Sequence, residues 1–438
     1  MLDLKRIRRD PGPVREALAR RGAAGDLDEL LALDERRRQL LPEVEQGRAR
    51  QNEASGEIAR AKREGSDASS TLTEMRALSA ELKRLDGELA ALVAAQDELA
   101  ARLPNIPEPG APDGEADEDA VVLREQGERP QFDFEVRDHL ELGLASGTIE
   151  MEKAAEASGS RFAYLLGDLV LVELALVRYV VELVGAEGFV PVVPPVLVRE
   201  RPLYGTGFFP GEREMIYEVP KDELFLVGTS EVALAALHAD EILDGDSLPR
   251  RYAGISTCFR REAGAAGKDT RGIFRVHQFD KVEMFSFVEP RESGAEHERL
   301  LAMQERILTE LEIPYRVVDI PVGDLGASAV RKFDCEGWIP SQERYRELTS
   351  TSNTTDYQAR RLSVRYRPGE KASPEPVHTL NGTAVAVGRA LIALMENRQL
   401  SDGRFTVPEA LQEWGAPDVV PRYKDPEIDI QVDPAVAT

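Results

Sequence analysis

The chain contains few cysteines, few aromatic residues and no long apolar run. Only two of its 438 residues are cysteines, Cys258 and Cys335, and they lie far apart in no metal-ligand spacing. We therefore expect neither a disulfide framework nor a zinc site. No apolar run is long enough to cross a membrane, and the N-terminus lacks the apolar core of a signal peptide. The sequence predicts a cytoplasmic protein without membrane attachment.

Two common nucleotide-binding signatures are also missing. The sequence contains no Gly-x-Gly-x-x-Gly and no Gly-x-x-x-x-Gly-Lys-Ser/Thr. Their absence argues against a Rossmann or P-loop nucleotide site. Short strands mixed with helices in the larger, C-terminal part instead favour an α+β fold, with a mainly antiparallel sheet flanked by helices.

Acidic residues outnumber basic ones, and the formal net charge is -24 at pH 7. Because nucleic-acid binding depends on neutralising phosphates, this total alone would argue against an RNA partner. The charge is unevenly distributed, however. Residues 1–103 carry 19 basic and 20 acidic side chains, whereas the remainder carries 36 and 59. An RNA would therefore first contact the basic stretch over residues 36–63.

The N-terminal part shows the apolar repeat of a coiled coil. Leucines recur in steps of three and four over residues 73–103, and a weaker repeat covers residues 30–61. The Gly- and Ser-rich residues 65–70 offer a turn between them, which predicts an antiparallel two-helix arm rather than the alternative, a dimerising coiled coil. Pro42 and Gly47 predict a kink or break in the first helix.

Prolines mark two further segments. Residues 104–130 are rich in proline, glycine and acidic side chains and are expected to form a linker. An apolar helix over residues 168–187 runs into residues 188–197, a strand interrupted by three prolines. Because proline cannot donate to a sheet ladder, this strand should lie at a sheet edge or a subunit boundary.

The most informative stretch is a strand, a glycine-rich loop and a return strand. Arg260 and Glu262 are spaced two apart, which places them on one face of the first strand. Phe279, Lys281 and Glu283 share a face of the second strand by the same alternation. An arginine beside a carboxylate can hold a phosphate and a nucleobase. A solvated polar hairpin is the alternative.

Two other segments carry polar groups suited to small ligands. Thr229 and Glu231 would share one face of an extended chain, where a carboxylate suits an ammonium group and a hydroxyl suits a small polar side chain. The same Thr-Ser-Glu sequence is also a good helix N-cap. Arg389 lies on an apolar helix, where it would be costly unless it met an anion. Pairing with a carboxylate at the helix rim is the alternative.

These segments, in this order and spacing, resemble motifs 1, 2 and 3 of class II aminoacyl-tRNA synthetases, and in their details the seryl-tRNA synthetases of bacteria. The resemblance covers almost the entire chain. It implies a tRNA-binding coiled-coil arm over residues 1–107, a linker over 108–130, a class II catalytic domain over 131–418 and a tail over 419–438.

The resemblance also implies a reaction and its participants. L-serine would be activated with ATP and Mg²⁺ to seryl-adenylate and then transferred to tRNA(Ser), and by family extension to tRNA(Sec). The proline-interrupted strand corresponds to motif 1, whose family role is a homodimer interface. Two alternatives stay open: an aminoacyl ligase that loads a carrier protein, and a non-catalytic regulatory homologue.

The family motifs assign roles to particular residues. The serine-binding residues implied in this way are Thr229, Ser230, Glu231, Glu283, Asn381 and Thr383. The ATP-binding residues are Arg260, Arg261, Glu262, Val276, Phe279, Glu347, Leu348, Thr349, Ser350 and Arg389. Glu347 and Ser350 would also hold Mg²⁺, and their spacing of three requires a bulge or a strand end. The tRNA contacts, assigned by region, are Arg36, Arg37, Arg48, Arg50, Lys62, Lys268 and Arg271.

Overall fold

The computed structural model describes residues 2–263, 267 and 269–422. The chain divides into two compact units, Met1–Pro104 and Asn105–Thr438. No helix among the described residues is long and apolar enough to cross a membrane. Lys268, one of the predicted tRNA contacts, lies outside the described residues.

The first unit consists of helices. They are α1 (Leu4–Arg9), α2 (Pro11–Ala19), α3 (Ala24–Glu64) and α4 (Ser69–Arg102). The cross-helix hydrogen bonds Arg36–Glu88 and Gln51–Ser79 show that α3 and α4 are antiparallel, since partner numbers fall along α4 as they rise along α3. The predicted two-helix arm is confirmed.

The sequence predicted a kink or a break at Pro42 and Gly47. Helix α3 runs through both residues without interruption, so there is no break. Leu40 and Val44, on either side of the proline, are buried against Leu85 of α4, and this packing holds the helix together where proline removes a hydrogen bond. A Cβ atom at Gly47 would lie 2.5 Å from Leu82 Cδ2. The glycine therefore permits close approach of the two helices.

The second unit is built on an eight-stranded sheet with the strand order β1-β11-β12-β13-β16-β10-β9-β4. All neighbouring pairs are antiparallel except β4 and β9, which are parallel. Its strands are β1 (Val121–Gln126), β4 (Val190–Val192), β9 (Arg250–Phe259), β10 (Gln278–Val288), β11 (Tyr315–Asp319), β12 (Arg331–Ile339), β13 (Arg344–Thr355) and β16 (His378–Ala386). The predicted mainly antiparallel sheet is confirmed.

Short strands and nine helices surround this sheet within the described residues. The short strands are β2 (Ile149–Glu150), β3 (Tyr164–Leu165), β5 (Leu197–Val198), β6 (Glu218–Val219), β7 (Leu224–Leu226), β8 (Ile242–Asp244), β14 (Arg365–Arg367), β15 (Glu375–Pro376), β17 (Phe405–Thr406) and β18 (Val419–Val420). The helices are α5 (His139–Ser146), α6 (Glu152–Ser158), α7 (Asp168–Ala186), α8 (Glu200–Thr206), α9 (Glu231–Ala235), α10 (Ser293–Glu310), α11 (Tyr357–Leu362), α12 (Val387–Asn397) and α13 (Glu409–Gln412).

The two faces of the large sheet differ because side chains alternate along each strand. Val282 and Met284 of β10, with Leu380 of β16, join the main hydrophobic core beside α7, α10 and α12. Lys281 and Glu283 of β10 line a polar cavity instead. The core therefore supports one face of the sheet, and the other face is free to carry polar groups.

Two segments predicted as a linker and a tail each contain a strand that the sequence did not indicate. The segment predicted as a linker, 108–130, contains strand β1, which pairs antiparallel with β11 at one edge of the sheet. The segment predicted as a tail, 419–438, begins with β18, which pairs with β17. Both strands lie in segments whose prolines, glycines and acidic residues are typical of loops. An edge strand tolerates such residues, because it needs a hydrogen-bonding partner on one side only.

The proline-interrupted strand lies at the opposite edge of the sheet, as predicted. Strand β4 is the last in the strand order and, among the described residues, pairs only with β9. Pro191 lies within β4. Proline has no backbone N–H, and at a sheet edge that group is not needed to bind a second neighbouring strand.

The arm offers a matched pair of valines for a stability test. Val44 is fully buried in the α3–α4 contact, whereas Val93 is 38% exposed on α4. Both changes to alanine raise helix propensity, but only Val44→Ala removes buried methyl groups, so the two variants should differ by about 2 kcal/mol in unfolding free energy. Thermal or denaturant unfolding of the full chain measures this difference. Equal stability of the two variants would contradict the packing of the arm.

Candidate active site

A polar cavity of about 440 Å³ opens on the face of the sheet opposite the main core. Its walls come from the chain entering α9, the hairpin formed by β9 and β10, strands β12, β13 and β16, and the start of α12. Four antiparallel neighbours of one sheet thus supply side chains to a single space.

Most residues implied by the family motifs meet in this cavity. Its lining includes Thr229, Glu231, Arg260, Glu262, Val276, Phe279, Glu283, Glu347, Leu348, Ser350, Asn381, Thr383 and Arg389. Three implied residues are not part of the lining. They are Ser230, Arg261 and Thr349. Ser230 is buried beneath the cavity wall, where its hydroxyl lies 3.5 Å from the Gly254 carbonyl oxygen.

The spacing predicted that Arg260 and Glu262 share one face of a strand, and this prediction is wrong. Strand β9 ends at Phe259, and Glu262 has a φ of 51°, in the left-handed region. Arg260 instead donates from Nε to the Gly228 carbonyl oxygen at 3.2 Å, and Arg275 donates to Glu262 at 2.6 Å. Both side chains still reach the cavity, because these hydrogen bonds orient them where no strand does.

One end of the cavity is organised by a buried lysine. Lys281 donates from Nζ to the Thr229 hydroxyl at 2.8 Å and forms an ion pair with the buried Glu283 carboxylate. The Thr383 hydroxyl donates to Glu283 at 3.3 Å, and the Asn381 amide donates to it at 3.2 Å. The sequence placed Lys281 on this strand face but gave it no role. The alternation of side chains along β10 was the sequence signal that could have identified Lys281 as a site residue.

A second carboxylate, Glu231, lies beside this group. It is the first residue of α9, with its backbone N–H donating to the Thr229 hydroxyl at 3.2 Å, so the extended segment predicted here is wrong and the N-cap alternative is closer. Its carboxylate accepts from Gln358 at 2.7 Å and from Asn381 at 3.3 Å. Burial, followed by repulsion from Glu283, raises the pKa of Glu231 to about 7.

The other end of the cavity contains the predicted bulge. Thr349 pairs with Cys335 and Glu347 with Glu336, so Leu348 is an extra residue in strand β13. The bulge brings Glu347 and Ser350 to one wall, as their spacing of three required. The Leu348 side chain lies in the main core on the opposite side.

Arg389, at the start of α12, contacts this wall. It donates from Nη1 to the Glu347 backbone oxygen at 2.9 Å and lies 3.2 Å from the Glu347 carboxylate. Burial raises the pKa of Glu347, but the charges of Arg389, Lys332 and Arg260 outweigh burial and hold that pKa well below its ordinary value. A carboxylate therefore remains ionised here among several cations.

The ring of Phe274, a residue that the motifs did not indicate, contacts the guanidinium groups of two arginines. The centroid of Phe274 is 3.9 Å from the guanidinium carbon of Arg346 and 5.0 Å from that of Arg389. Such contacts hold a guanidinium in place without neutralising its charge. Phe274 lies in the loop that returns to β10, where no periodic pattern marks a residue as functional.

The basic residues of the arm are partly committed to ion pairs. Arg36 pairs with Glu88 and Arg48 with Asp86, both at 2.8 Å, while Arg37 lies 3.4 Å from the buried Asp34. Arg50 and Lys62 are exposed, and neither has an ion pair within the described part of the chain. In the second unit Arg271 is bound to Asp138 at 2.7 Å. Of the tRNA contacts predicted on the arm, Arg50 and Lys62 are thus the two most available to a polyanion.

Comparisons with known proteins agree with this geometry. Residues 216–398 match the family described as tRNA synthetase class II core domain (G, H, P, S and T), so the sheet and its cavity are those of a class II aminoacyl-tRNA synthetase. Residues 1–107 match the seryl-tRNA synthetase N-terminal domain. The chain belongs to the seryl-tRNA synthetase family and is an ATP-using ligase of that family.

Similar proteins extend over nearly the whole chain. The serine–tRNA ligase of Streptomyces coelicolor is 50% identical over 418 residues, which cover 94% of this chain and 97% of that protein. The serine–tRNA ligase of Acidothermus cellulolyticus is 50% identical over 428 residues, covering 96% and 99%. The seryl-tRNA synthetase from Pyrococcus horikoshii, solved in complex with ATP, is 39% identical with a TM-score of 0.89 and coverage of 96% and 99%. A carrier-protein ligase or a non-catalytic homologue is not favoured.

The raised pKa of Glu231 makes the effect of removing this carboxylate depend on pH. Its pKa in the folded chain is about 7, against an ordinary 4.5, so folding loses stability as pH rises through this range. Glu231→Gln does not titrate and escapes this loss. Relative to the unaltered chain, the variant should therefore gain about 3 kcal/mol between pH 4 and pH 8.

Unfolding of both proteins at several pH values measures this gain. Glu214→Gln, at an exposed position without an ion pair in the described part of the chain, is the control and should show a much smaller change. A pH-independent difference between Glu231→Gln and the unaltered chain would contradict the raised pKa.

Proposed function

We propose that the cavity binds serine at the end built around Lys281 and Glu283, and ATP at the end that carries Arg389. The observation that supports this most strongly is the buried polar wall formed by Thr229, Glu283, Asn381 and Thr383. Such a wall offers hydrogen bonds that an apolar side chain could not satisfy, and it therefore suits a small hydroxyl-bearing amino acid.

The charges at the serine end complement an amino acid. Glu231 and Glu283 carry two carboxylates and Lys281 one ammonium group, so the wall holds one net negative charge when both acids are ionised. The serine ammonium group would restore neutrality beside Glu231 and Thr229. The serine hydroxyl group would hydrogen-bond to Glu283 and Thr383. The serine carboxylate would then be directed towards ATP.

The ATP end supplies cations and an aromatic surface. Arg260, whose guanidinium carbon lies 5.4 Å from the Phe279 ring centroid, would hold the α-phosphate, and Arg389 the γ-phosphate. Phe279 would stack on adenine, with Glu262 and Val276 at its edge. A similar protein solved in complex with ATP supports this assignment.

The bulged wall of β13 fits Mg²⁺. Glu347 and Ser350 present two oxygen ligands to the cavity, and Mg²⁺ prefers oxygen ligands and keeps several waters. When bound, the ion would neutralise charge on the ATP phosphates. Among the described residues no group of three or more His, Cys, Asp and Glu side chains could hold a metal, so phosphate oxygens and water would complete the set.

These positions support a reaction in two steps without a protein nucleophile. In the first step a serine carboxylate oxygen bonds to the α-phosphorus while the bond to pyrophosphate breaks. In the second step a terminal ribose hydroxyl of tRNA attacks the seryl carbonyl carbon. AMP leaves with the electron pair of the broken bond, and its phosphate takes up the hydroxyl proton. The protein contributes alignment and charge neutralisation, chiefly through Arg260 and Arg389.

We infer that the two units have different roles and that two copies associate. The arm would bind tRNA(Ser), and by family extension tRNA(Sec), through exposed cations such as Arg50 and Lys62. At the β4 edge Val193 is 81% exposed, and Leu174 of the neighbouring α7 is 61% exposed. Exposed apolar side chains at a sheet edge are suited to burial against a second copy.

The Thr383 hydroxyl provides a test of the serine site. Thr383→Val keeps the shape of the side chain but leaves Glu283 without one donor, so the KM for serine in ATP–pyrophosphate exchange should rise about tenfold or more. Thr383→Ser restores the hydroxyl and should stay within about threefold of the unaltered chain. Equal KM values for the two variants would contradict a serine contact at this residue.

The role of the arm is tested by reversing two charges. The double variant Arg50→Glu, Lys62→Glu should lower the kcat/KM for tRNA in aminoacylation by about tenfold or more, because two phosphate contacts become repulsive. Its serine-dependent pyrophosphate exchange should be unchanged, since that step needs no tRNA. The control is Lys5→Glu, Arg9→Glu on α1, which makes the same charge change elsewhere in the unit. If both double variants lose tRNA charging equally, a general charge effect explains the result instead.

A further inference from the structure

We propose that His139 is a positioning residue for ATP binding. It connects helix α12 to residues 272–276, the segment that leads from the hairpin loop back to β10. This inference rests on the proposed ATP site and adds to it a buried hydrogen-bond network around His139, a residue to which the family motifs assign no role.

The hydrogen bonds of His139 define one state of its ring. The residue is buried at the first position of α5, and its Nδ1 lies 2.9 Å from Glu396 Oε1. Its Nε2 lies 3.2 Å from the backbone nitrogen of Ile273. Because a backbone N–H can only donate, Nε2 must accept and Nδ1 must carry the hydrogen that is donated to Glu396. The ring is therefore neutral and held at both nitrogens.

Glu396 is in turn held in place by backbone groups. Its carboxylate is fully buried and also accepts from the His139 backbone N–H at 3.0 Å and from the Ser341 backbone N–H at 3.1 Å. A buried carboxylate with three donors has little freedom to move. The imidazole ring is thus oriented from the side of α12.

The local backbone at Gly272 permits the contact between His139 and the loop. Gly272 has a φ of 69°, and a Cβ atom there would lie 2.0 Å from His139 Nε2. Any side chain at this position would displace the imidazole ring. A second tie lies beside it, where Arg271 donates to Asp138 at 2.7 Å. Arg271, predicted as a tRNA contact, thus already has a partner within the fold.

The segment that His139 holds carries groups of the ATP site. Ile273, Phe274, Arg275 and Val276 all line the cavity. Arg275 donates to the Glu262 carboxylate at 2.6 Å, which orients the residue proposed to contact adenine. The position of the Ile273 backbone therefore bears on the adenine end of the site.

The phosphate end depends on the same segment. The Phe274 ring contacts the guanidinium of Arg389, which is proposed to hold the γ-phosphate. Arg389 and Glu396 are seven residues apart on α12, about two helical turns, and so lie on the same side of that helix. The network starts and ends on α12, and His139 is the link that joins the helix to the loop.

Two amide substitutions separate the two contacts of the ring. His139→Asn places an amide nitrogen near the position of Nδ1, so it keeps the donor to Glu396 and loses the acceptor for Ile273. We expect about a tenfold rise in the Kd for ATP and a lower thermal midpoint, because the buried Ile273 N–H loses its acceptor. His139→Gln places an amide oxygen near Nε2, so it should recover most of the ATP affinity but lower the thermal midpoint.

Calorimetric titration of the full chain with ATP and Mg²⁺ measures the affinity without relying on turnover. Gly272→Ala should weaken ATP binding like His139→Asn, because the added Cβ displaces the ring. Gly267→Ala is the control, since that residue also has a positive φ, 82°, but nothing within 4 Å of the added atom. The control should leave the Kd within about twofold of the unaltered value, against the tenfold change expected from a lost hydrogen bond.

The results separate this inference from the function on which it rests. If His139→Asn and His139→Gln change the Kd for ATP equally, or not at all, the proposed role of His139 is wrong. Serine-dependent exchange should also show an altered KM for ATP and an unaltered KM for serine in His139→Asn. If the unaltered chain binds ATP but shows no such exchange, the proposed function fails while the ATP titrations still test His139.

Discussion

The active site depends on one buried ion pair, between Lys281 and Glu283 on strand β10. Neither charge could remain buried alone, because removing a charge from water costs more than any single contact returns. Paired, they become donors and acceptors of fixed direction: Lys281 holds the Thr229 hydroxyl, and Glu283 accepts from Thr383. The shape of the proposed serine site follows from these two residues being neighbours on one strand face.

The large sheet also connects the proposed serine end of the cavity to the proposed phosphate end. Strand β16, which pairs with β10, passes directly into α12, and α12 carries Arg389 at its start and Glu396 near its end. The hairpin loop is fastened to the same helix through His139. A single continuous stretch of chain therefore supports both the proposed amino-acid end and the proposed phosphate end.

Local sequence patterns predicted the features that depend on local rules. Leucine spacing predicted the two helices of the arm, and prolines predicted the edge position of β4. The bulge at Leu348 was expected only once the family resemblance had assigned Glu347 and Ser350 to one site. Each of these follows from the geometry of one helix or strand. The family resemblance added the roles of residues that local rules alone left open.

Features that depend on contacts distant in sequence could not be predicted in this way. His139 and Ile273 are 134 positions apart, and nothing in either segment indicates that they meet. Of the kink or break expected at Pro42, the break does not occur, because packing against α4 outweighs the lost hydrogen bond. Strand β1 was missed because its partner β11 lies far along the chain, and its own composition is typical of a linker.

The central claim is that the buried polar wall selects serine. ATP–pyrophosphate exchange by the full chain, measured separately with serine, alanine, glycine and threonine, tests it most directly. The account predicts exchange with serine and a kcat/KM for alanine lower by on the order of ten-thousand-fold, because alanine has no hydroxyl group to form the hydrogen bonds that Glu283 and Thr383 offer to serine. Comparable exchange with alanine, or none with serine, would contradict it.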